Sequence, residues 1–340
     1  MNAKKKVTIV EIAKMAGFDV STVSRALNHP DMVKKETRDS IMEVVRRFDY
    51  QPNVFARGLQ TQKSDLVALV VPNFTNLSFT NLARGVQETL RKHGYTMLIF
   101  SSHESIEWER KICSQISKLQ LDGVIFASGS TSVPPIEEIG AGTERLFIDR
   151  DGRALGIDTL LPDFGMGFEG IIEALKARGH KRIGLLSGDA ESYTGKEITM
   201  AYQQAMGKNE LFVPSEYICS SMWAAKDGWN AARELMLLEN PPTAIIAATD
   251  TIALGALGSV QRMGLQVPQD ISIVGFNNEP GSESLNPPLT TLMYDAYKLG
   301  TEAAETLVGR IDDGDSDPVF KRYGFHILER ESVGNAPQKA

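Results

Sequence analysis

Ser21, Thr22 and Arg25 fall within about one helical turn of each other, in the segment TIVEIAKMAGFDVSTVSRALN over residues 8–28. Two hydroxyls and a guanidinium on one outward face can exchange hydrogen bonds with a polar surface laid against them. The chemistry is recognition rather than bond breaking. No Ser/His/Asp order, Walker loop or GxGxxG stands out in the chain, and the Asp149-Arg150 pair alone makes no catalytic constellation. The five histidines are scattered, and Cys113 and Cys219 show neither metal nor redox spacing. The expectation is therefore no catalytic residue, no metal site and no cofactor.

Two helices must position that face. Thr8 and Glu11 have the spacing of a capping box, which predicts a helix beginning at Ile9. Ile9, Ile12, Ala13 and Ala16 recur on one side of it, and Gly17 can adopt the left-handed conformation that ends it. A second helix, from about Ser21 to Leu27, buries Val23 and Leu27. Small residues at 13 and 17 let the two helices cross closely. A third helix, from about Glu36 to Phe48, turns Ile41, Val44, Val45 and Phe48 toward the first two. This is the pattern of a helix-turn-helix, whose second helix enters the major groove of DNA.

The charge distribution agrees. The chain of 340 residues has a net charge of −7, but residues 1–63 carry +5 and the remainder −12. A basic head, opening on Lys4-Lys5-Lys6, would approach phosphate while an acidic body is repelled by it. At 42% hydrophobic and 23% charged residues, the composition is that of a globular protein. No apolar run is long enough to span a membrane, and no apolar stretch of a secretory signal follows the charged N-terminus, so a cytoplasmic protein without a membrane partner is expected.

After Tyr50-Gln51-Pro52, Asn53 can cap a short helix over Val54–Leu59, too short to be stable alone and weakened further by Gly58. Thr61–Ser64 is a polar linker. From Leu66 onward, apolar runs of strand length alternate with amphipathic helices. The strands expected are Leu66–Val71, Tyr95–Phe100, Val124–Ala127, Leu146–Asp149, Ile183–Ser187, Ala244–Ala248, Ile271–Phe276 and Leu289–Tyr294. Such alternation predicts two doubly wound parallel-sheet α/β subdomains, with a ligand cleft between them at the carboxyl ends of the strands.

TIVEIAKMAGFDVSTVSRALN, YQPNVFARGL, RGHKRIGLLSG, PPTAIIAATDTIALGAL, GLQVPQDISIVGFNN and PPLTTL, in that order, resemble the lactose-repressor (LacI/GalR) family of bacterial transcription regulators. The resemblance covers nearly the whole chain. It implies an all-α helix-turn-helix head over 1–50, a hinge helix and linker over 51–64, and a two-lobed body of periplasmic-binding-protein type over 65–340. The N-lobe would comprise about 65–162 and 293–323, and the C-lobe about 163–290 and 324–340. It also implies a homodimer, a pseudo-palindromic double-stranded operator and a small-molecule effector, such as a sugar or sugar derivative.

Carried over position by position, Val20 and Ser21 would meet base edges, Val20 by apolar contact only. Arg25 would pair with a guanine, with Thr22 on the same outer face. Thr8, Ser24 and Asn28 look like phosphate or capping groups. Leu59 matches the hinge leucine that wedges into the minor groove, with Asn53 as its helix cap, Ala56 allowing close approach and Arg57 nearby. For the effector, the resemblance implies Asn73, Phe79, Asp149, Arg150, Thr194, Trp223 and Asn277. Two polar anchors usual in the family are absent. Its effector-binding Arg aligns with Ile198, and its Asp aligns with Asn277. Either Lys196, Glu197 or Arg150 substitutes, or the ligand is not an ordinary free hexose, or the pocket has ceased to sense. The alternative of a periplasmic-type solute-binding protein would need a signal peptide and no DNA-binding head. A nonspecific architectural DNA-binding protein differs from a regulator in its specificity ratio.

Overall fold

The computed structural model describes residues 7–50, 63–74, 78–127, 135–220, 222–314 and 317–338. The chain divides into two compact units, 1–64 and 65–340. The expected hinge helix, with Asn53, Ala56, Arg57 and Leu59, lies outside the described residues, as does Lys4-Lys5-Lys6.

In the first unit, α1 (Ile9–Ala16) begins at the capping box. Thr8 Oγ1 accepts from the Glu11 amide at 3.3 Å, and the Thr8 amide donates to Glu11 Oε2 at 2.8 Å. Gly17 ends α1 at φ 74°, donating to the Ala13 carbonyl. Then α2 (Val20–Asn28) and α3 (Lys35–Arg47) close a small core of Ile12, Ala13, Val23, Ala26, Ile41 and Val45. Ala26 takes the fully buried place expected of Leu27, which packs at the core's edge. Phe48 lies just past the end of α3 and is exposed, with the Arg47 guanidinium over its ring; Tyr50 packs against the core instead. Replacing Thr8 by alanine should cost about 1 kcal/mol of stability in this unit. Faster amide exchange across residues 9–16 would register it.

The second unit holds two six-stranded sheets. The first contains β1 (Leu66–Val71), β2 (Thr96–Ser101), β3 (Gly123–Phe126), β4 (Glu144–Ile148), β5 (Asp158–Pro162) and β11 (Phe320–Tyr323), in the order β11-β5-β4-β3-β1-β2 and all parallel. Its helices are α4 (Ser78–Lys92), α5 (Ile106–Leu119) and α10 (Ala296–Asp313). The second sheet contains β6 (Ile183–Leu186), β7 (Ile218–Cys219), β8 (Ala244–Ala247), β9 (Ser272–Phe276), β10 (Thr290–Met293) and β12 (His326–Leu328), ordered β12-β10-β9-β8-β6-β7. Only β12 runs antiparallel, against β10. The accompanying helices are α6 (Phe164–Ala177), α7 (Tyr193–Lys208), α8 (Ala225–Met236) and α9 (Asp250–Arg262).

Central β1 shows why these strands read as unbroken apolar runs. Val67, Leu69 and Val71 enter one core layer, while Ala68 and Val70 enter the layer on the other face. Both faces are covered, so every position is apolar. The chain passes between the sheets three times: after β5, after β10 and after β11. Met293 therefore belongs to the second lobe, where it pairs with His326.

Each lobe also contains one close helix crossing built on a reciprocal pair of glycines. A Cβ on Gly85 of α4 would run into the Tyr297 carbonyl of α10, and one on Gly300 of α10 into the Leu82 carbonyl of α4. In the second lobe, a Cβ on Gly228 of α8 would meet the Ile252 carbonyl of α9, and one on Gly255 of α9 the Ala225 carbonyl of α8.

Candidate functional site

The exposed face of α2 carries Val20, Ser21, Arg25 and Asn28, with Thr22 and Ser24 half-buried beside them. Burial of Val23 and Ala26 fixes which side turns outward. Asn28 Nδ2 donates to Ser24 Oγ at 3.3 Å, one turn away. The Thr8 hydroxyl is spent on its own cap, donating to Glu11 Oε2 at 3.0 Å. The free end of Arg25 and the Val20 and Ser21 amides at the start of α2 are thus the donors this face presents outward, together with the Ser21 hydroxyl, since the Thr22 amide already donates to the Asp19 carbonyl.

In the second unit, the carboxyl ends of both sheets open on one cleft between the lobes, enclosing about 640 Å³ including its mouth. Asn73 follows β1, Phe79 lies on α4, Glu104 follows β2 and Asp149 follows β4. From the second lobe come Thr194 on α7, Trp223 just before α8, and Asn277 after β9. These include six of the eight residues proposed from the sequence. Ser192 caps α7, accepting from the Gly195 amide at 3.0 Å, which puts Thr194 in the first helical turn.

Arg150 and Lys196 do not line the cleft. The Arg150 guanidinium is buried in an ion pair with Glu109 of α5, at 2.8 Å. Placing it so next to Asp149 is possible because consecutive residues at a strand end point to opposite sides. Lys196 is half-exposed and reaches Glu191 at 3.5 Å. Neither replaces the missing family Arg. Ile198 is itself a wall of the cleft, 1% exposed.

Sequence reasoning missed Glu104, which accepts from Asn73 Nδ2 at 3.0 Å. Burial pushes its carboxyl up from the usual range, Asp189 adds to that, and hydrogen bonds from Asn73 and Trp223 oppose it. Two further walls, Phe164 and Tyr294, sit where the chain passes between lobes. The signal that could have found Glu104 is its position just past a strand end, the same that marked Asn73 and Asp149.

Asp149 is the electrostatic centre of the cleft. It is 9% exposed, and its Oδ1 has no hydrogen-bond partner. Desolvation lifts its pKa to about 7. Its backbone is left-handed at φ 56°, as are Glu104 at 57° and Asn277 at 88°. Asp and Asn are the non-glycine residues that tolerate this region best. Three cleft residues in sparsely populated backbone regions mark a place where geometry serves something other than stability. Trp223 packs its ring directly on Gly188, where any Cβ would collide with it. The ring therefore has a fixed place in the cleft wall.

The raised pKa has a consequence for stability. Unfolded, the Asp149 carboxyl ionises in the ordinary range near 3.8; folded, it holds its proton to about 7. Its favourable contribution is present below about pH 4 and is lost as pH rises to 7. Asp149→Asn, which keeps the left-handed backbone accessible, should therefore melt several degrees above the parent at pH 8, with the gap closing toward pH 4. A gap independent of pH would contradict the assignment. Asp250, raised to about 6 chiefly by burial, remains in both proteins and cancels.

Residues 8–53 match the family model described as bacterial regulatory proteins, lacI family. Residues 172–333 match the periplasmic binding protein-like domain. The chain is 32% identical over 313 residues to the HTH-type transcriptional regulator DegA of Bacillus subtilis (strain 168), covering 91% of this chain and 92% of that protein. It is 30% identical over 315 residues to the HTH-type transcriptional repressor CytR of Escherichia coli (strain K12), covering 92% of each. The crystal structure of the lac repressor dimer bound to operator and the anti-inducer ONPF shares the fold, with a TM-score of 0.87 at 22% identity, over 97% of this chain and all of that one.

Proposed function

Because this chain belongs to the lacI family of bacterial regulatory proteins, and is a DNA-binding transcription regulator with an effector-binding domain, we propose that it is a homodimeric repressor released or engaged by a small polyhydroxylated molecule in its cleft. Val20, Ser21 and Arg25 would read base edges in the major groove. Thr22, Ser24, Asn28 and the N-terminal amides of α2 would hold phosphate. Asn53, Ala56, Arg57 and Leu59 would form the minor-groove hinge in each copy.

The observation that carries this reading is a cleft carboxylate that the fold buries and leaves with an empty acceptor atom, in a chain that also presents the α2 face. A stable protein has no use for that acceptor; a ligand hydroxyl or amine does. Asn73, Phe79, Thr194, Trp223 and Asn277 would complete the contacts, with Trp223 as a face for a sugar ring. A ligand that favours one arrangement of the lobes shifts the population of the DNA-competent state, and its preference sets the sign. For a second copy, exposed apolar surface is offered by Ile99 on edge strand β2 and Leu254 on α9.

Selecting duplexes from a random pool and comparing affinity for the winners with affinity for unselected DNA tests the function. A regulator should prefer its site by about a thousandfold or more. A ratio near one would leave only a nonspecific DNA-binding protein. The solute-binding alternative finds no support, since the relatives are transcription regulators along nearly their whole length.

A further inference from the structure

We propose that the effector carries a positive charge beside its hydroxyl groups, in the form of a protonated amine on a monosaccharide-sized polyol, and that this amine seats between Asp149 and Glu104. The inference rests on the cleft being the effector site. It names the charge of the molecule that fills it.

Two carboxylates line the cleft, and no Lys, Arg or His among the described residues does. The segments 75–77 and 128–134, which follow β1 and β3 in the sequence outside the described residues, read Thr-Asn-Leu and Ser-Gly-Ser-Thr-Ser-Val-Pro and add no cation. Several basic groups near the lining residues in sequence are committed elsewhere: Arg150 to Glu109, Lys196 to Glu191, and Arg153 to Asp151 through two nitrogens, while His103 packs on Trp108 and Lys226 is exposed on α8, neither lining the cleft. Where a guanidinium would neutralise an anionic ligand, Ile198 offers hydrocarbon. A phosphate or carboxylate placed here would meet two carboxyl groups and no counter-ion, and each of them that ionises repels it.

A neutral sugar would satisfy the orphan Oδ1 of Asp149 but leave any charge on the ionised carboxyl uncompensated as the site dries. An ammonium does both. It also suits Glu104, which the Asn73 amide and the Trp223 indole N–H hold in the cleft as an acceptor. The titratable groups facing Asp149 are the Tyr193 and Tyr294 hydroxyls, neither of which can supply a positive charge. A cation at Asp149 would draw its pKa down from about 7, so binding near that pH must expel a proton.

The test is calorimetry on the full-length protein with 2-amino and 6-amino hexoses, their parent hexoses, their N-acetyl derivatives and the hexose 6-phosphates. At pH 6.5, in two buffers of different ionisation enthalpy, at least one amino sugar should bind about tenfold or more tighter than its neutral counterparts, with net proton release. The phosphates should not bind. Asp149→Asn should erase the preference for the amine while the protein still melts cooperatively, and Glu104→Gln should weaken it. Equal or tighter binding of a parent hexose or a phosphate, or failure of every amino sugar to bind, overturns the proposal. Affinity for the selected operator is measured in the same samples. An amino sugar that binds without altering operator affinity supports the charge assignment and defeats the regulatory reading; a neutral sugar that alters it does the reverse.

Discussion

Replacing Arg25 by alanine should lower affinity for the selected operator by about tenfold to a hundredfold per half-site, while affinity for random duplex changes little. A guanidinium bonded to two acceptors on a guanine contributes about 1–3 kcal/mol of discrimination. Both copies in a dimer would lose it together. Arg25 is exposed on α2, and the residues that fix its direction, Val23 and Ala26, are untouched by the substitution, so the fold should survive. The competing role, contact with phosphate, leaves a different signature: specific and random DNA would weaken equally, and the salt dependence would flatten by about one counterion per copy. Gel shifts over a range of salt separate the two. Loss of preference at a single base pair of each half-site would identify the base that Arg25 reads.

Gly255→Ala is the second large effect expected, and it concerns stability. A Cβ there has nowhere to go, because the Ala225 carbonyl and the Trp229 amide of α8 already occupy the space. Backbone cannot step aside as a side chain can. The helices must separate, which also strands Gly228 opposite Ile252 and loosens the apolar contacts around the crossing. Overpacking of a tight core costs about 1–3 kcal/mol, and a collision with main chain belongs at or above the upper end of that range. Gly309→Ala in α10 is the control. Nothing lies within 4 Å of a Cβ at that position, and alanine in a helix should stabilise by up to about 1 kcal/mol. Urea midpoints that moved equally for both would refute the role given to the crossing.

How much was legible in the sequence depended on whether a signal was local. The capping box at Thr8 and the helix stop at Gly17 are written in four and one residues, and they appear where expected. Strand β1 has the bounds read from its apolar run, since nothing but burial on both faces explains six apolar residues in succession. Strands β5, β7, β11 and β12 were missed, β7 being only two residues long. Asp158, Lys321 and Arg322 break their apolar character, and pairing with distant strands rather than composition makes them strands. At the cleft, residues directly following strong strands were found. Arg150 was misplaced because a strand end alternates its side chains, and its partner Glu109 is forty-one residues away. Glu104 was missed because its strand, β2, was noted while the turn after it was not. No pattern in the sequence announces that Ile198 and Asp149 line one cleft from opposite lobes; that required the topology.

The threefold passage of the chain between the lobes bears on how the protein is made. Strand β11 completes the first sheet at residues 320–323, and β12 completes the second at 326–328. Until synthesis has passed Phe320, both sheets lack an edge strand. Neither half can finish ahead of the other, as independently folding domains of a nascent polypeptide normally do. Truncation a few residues short of Phe320 should therefore yield two unfinished, aggregation-prone lobes rather than one intact and one broken.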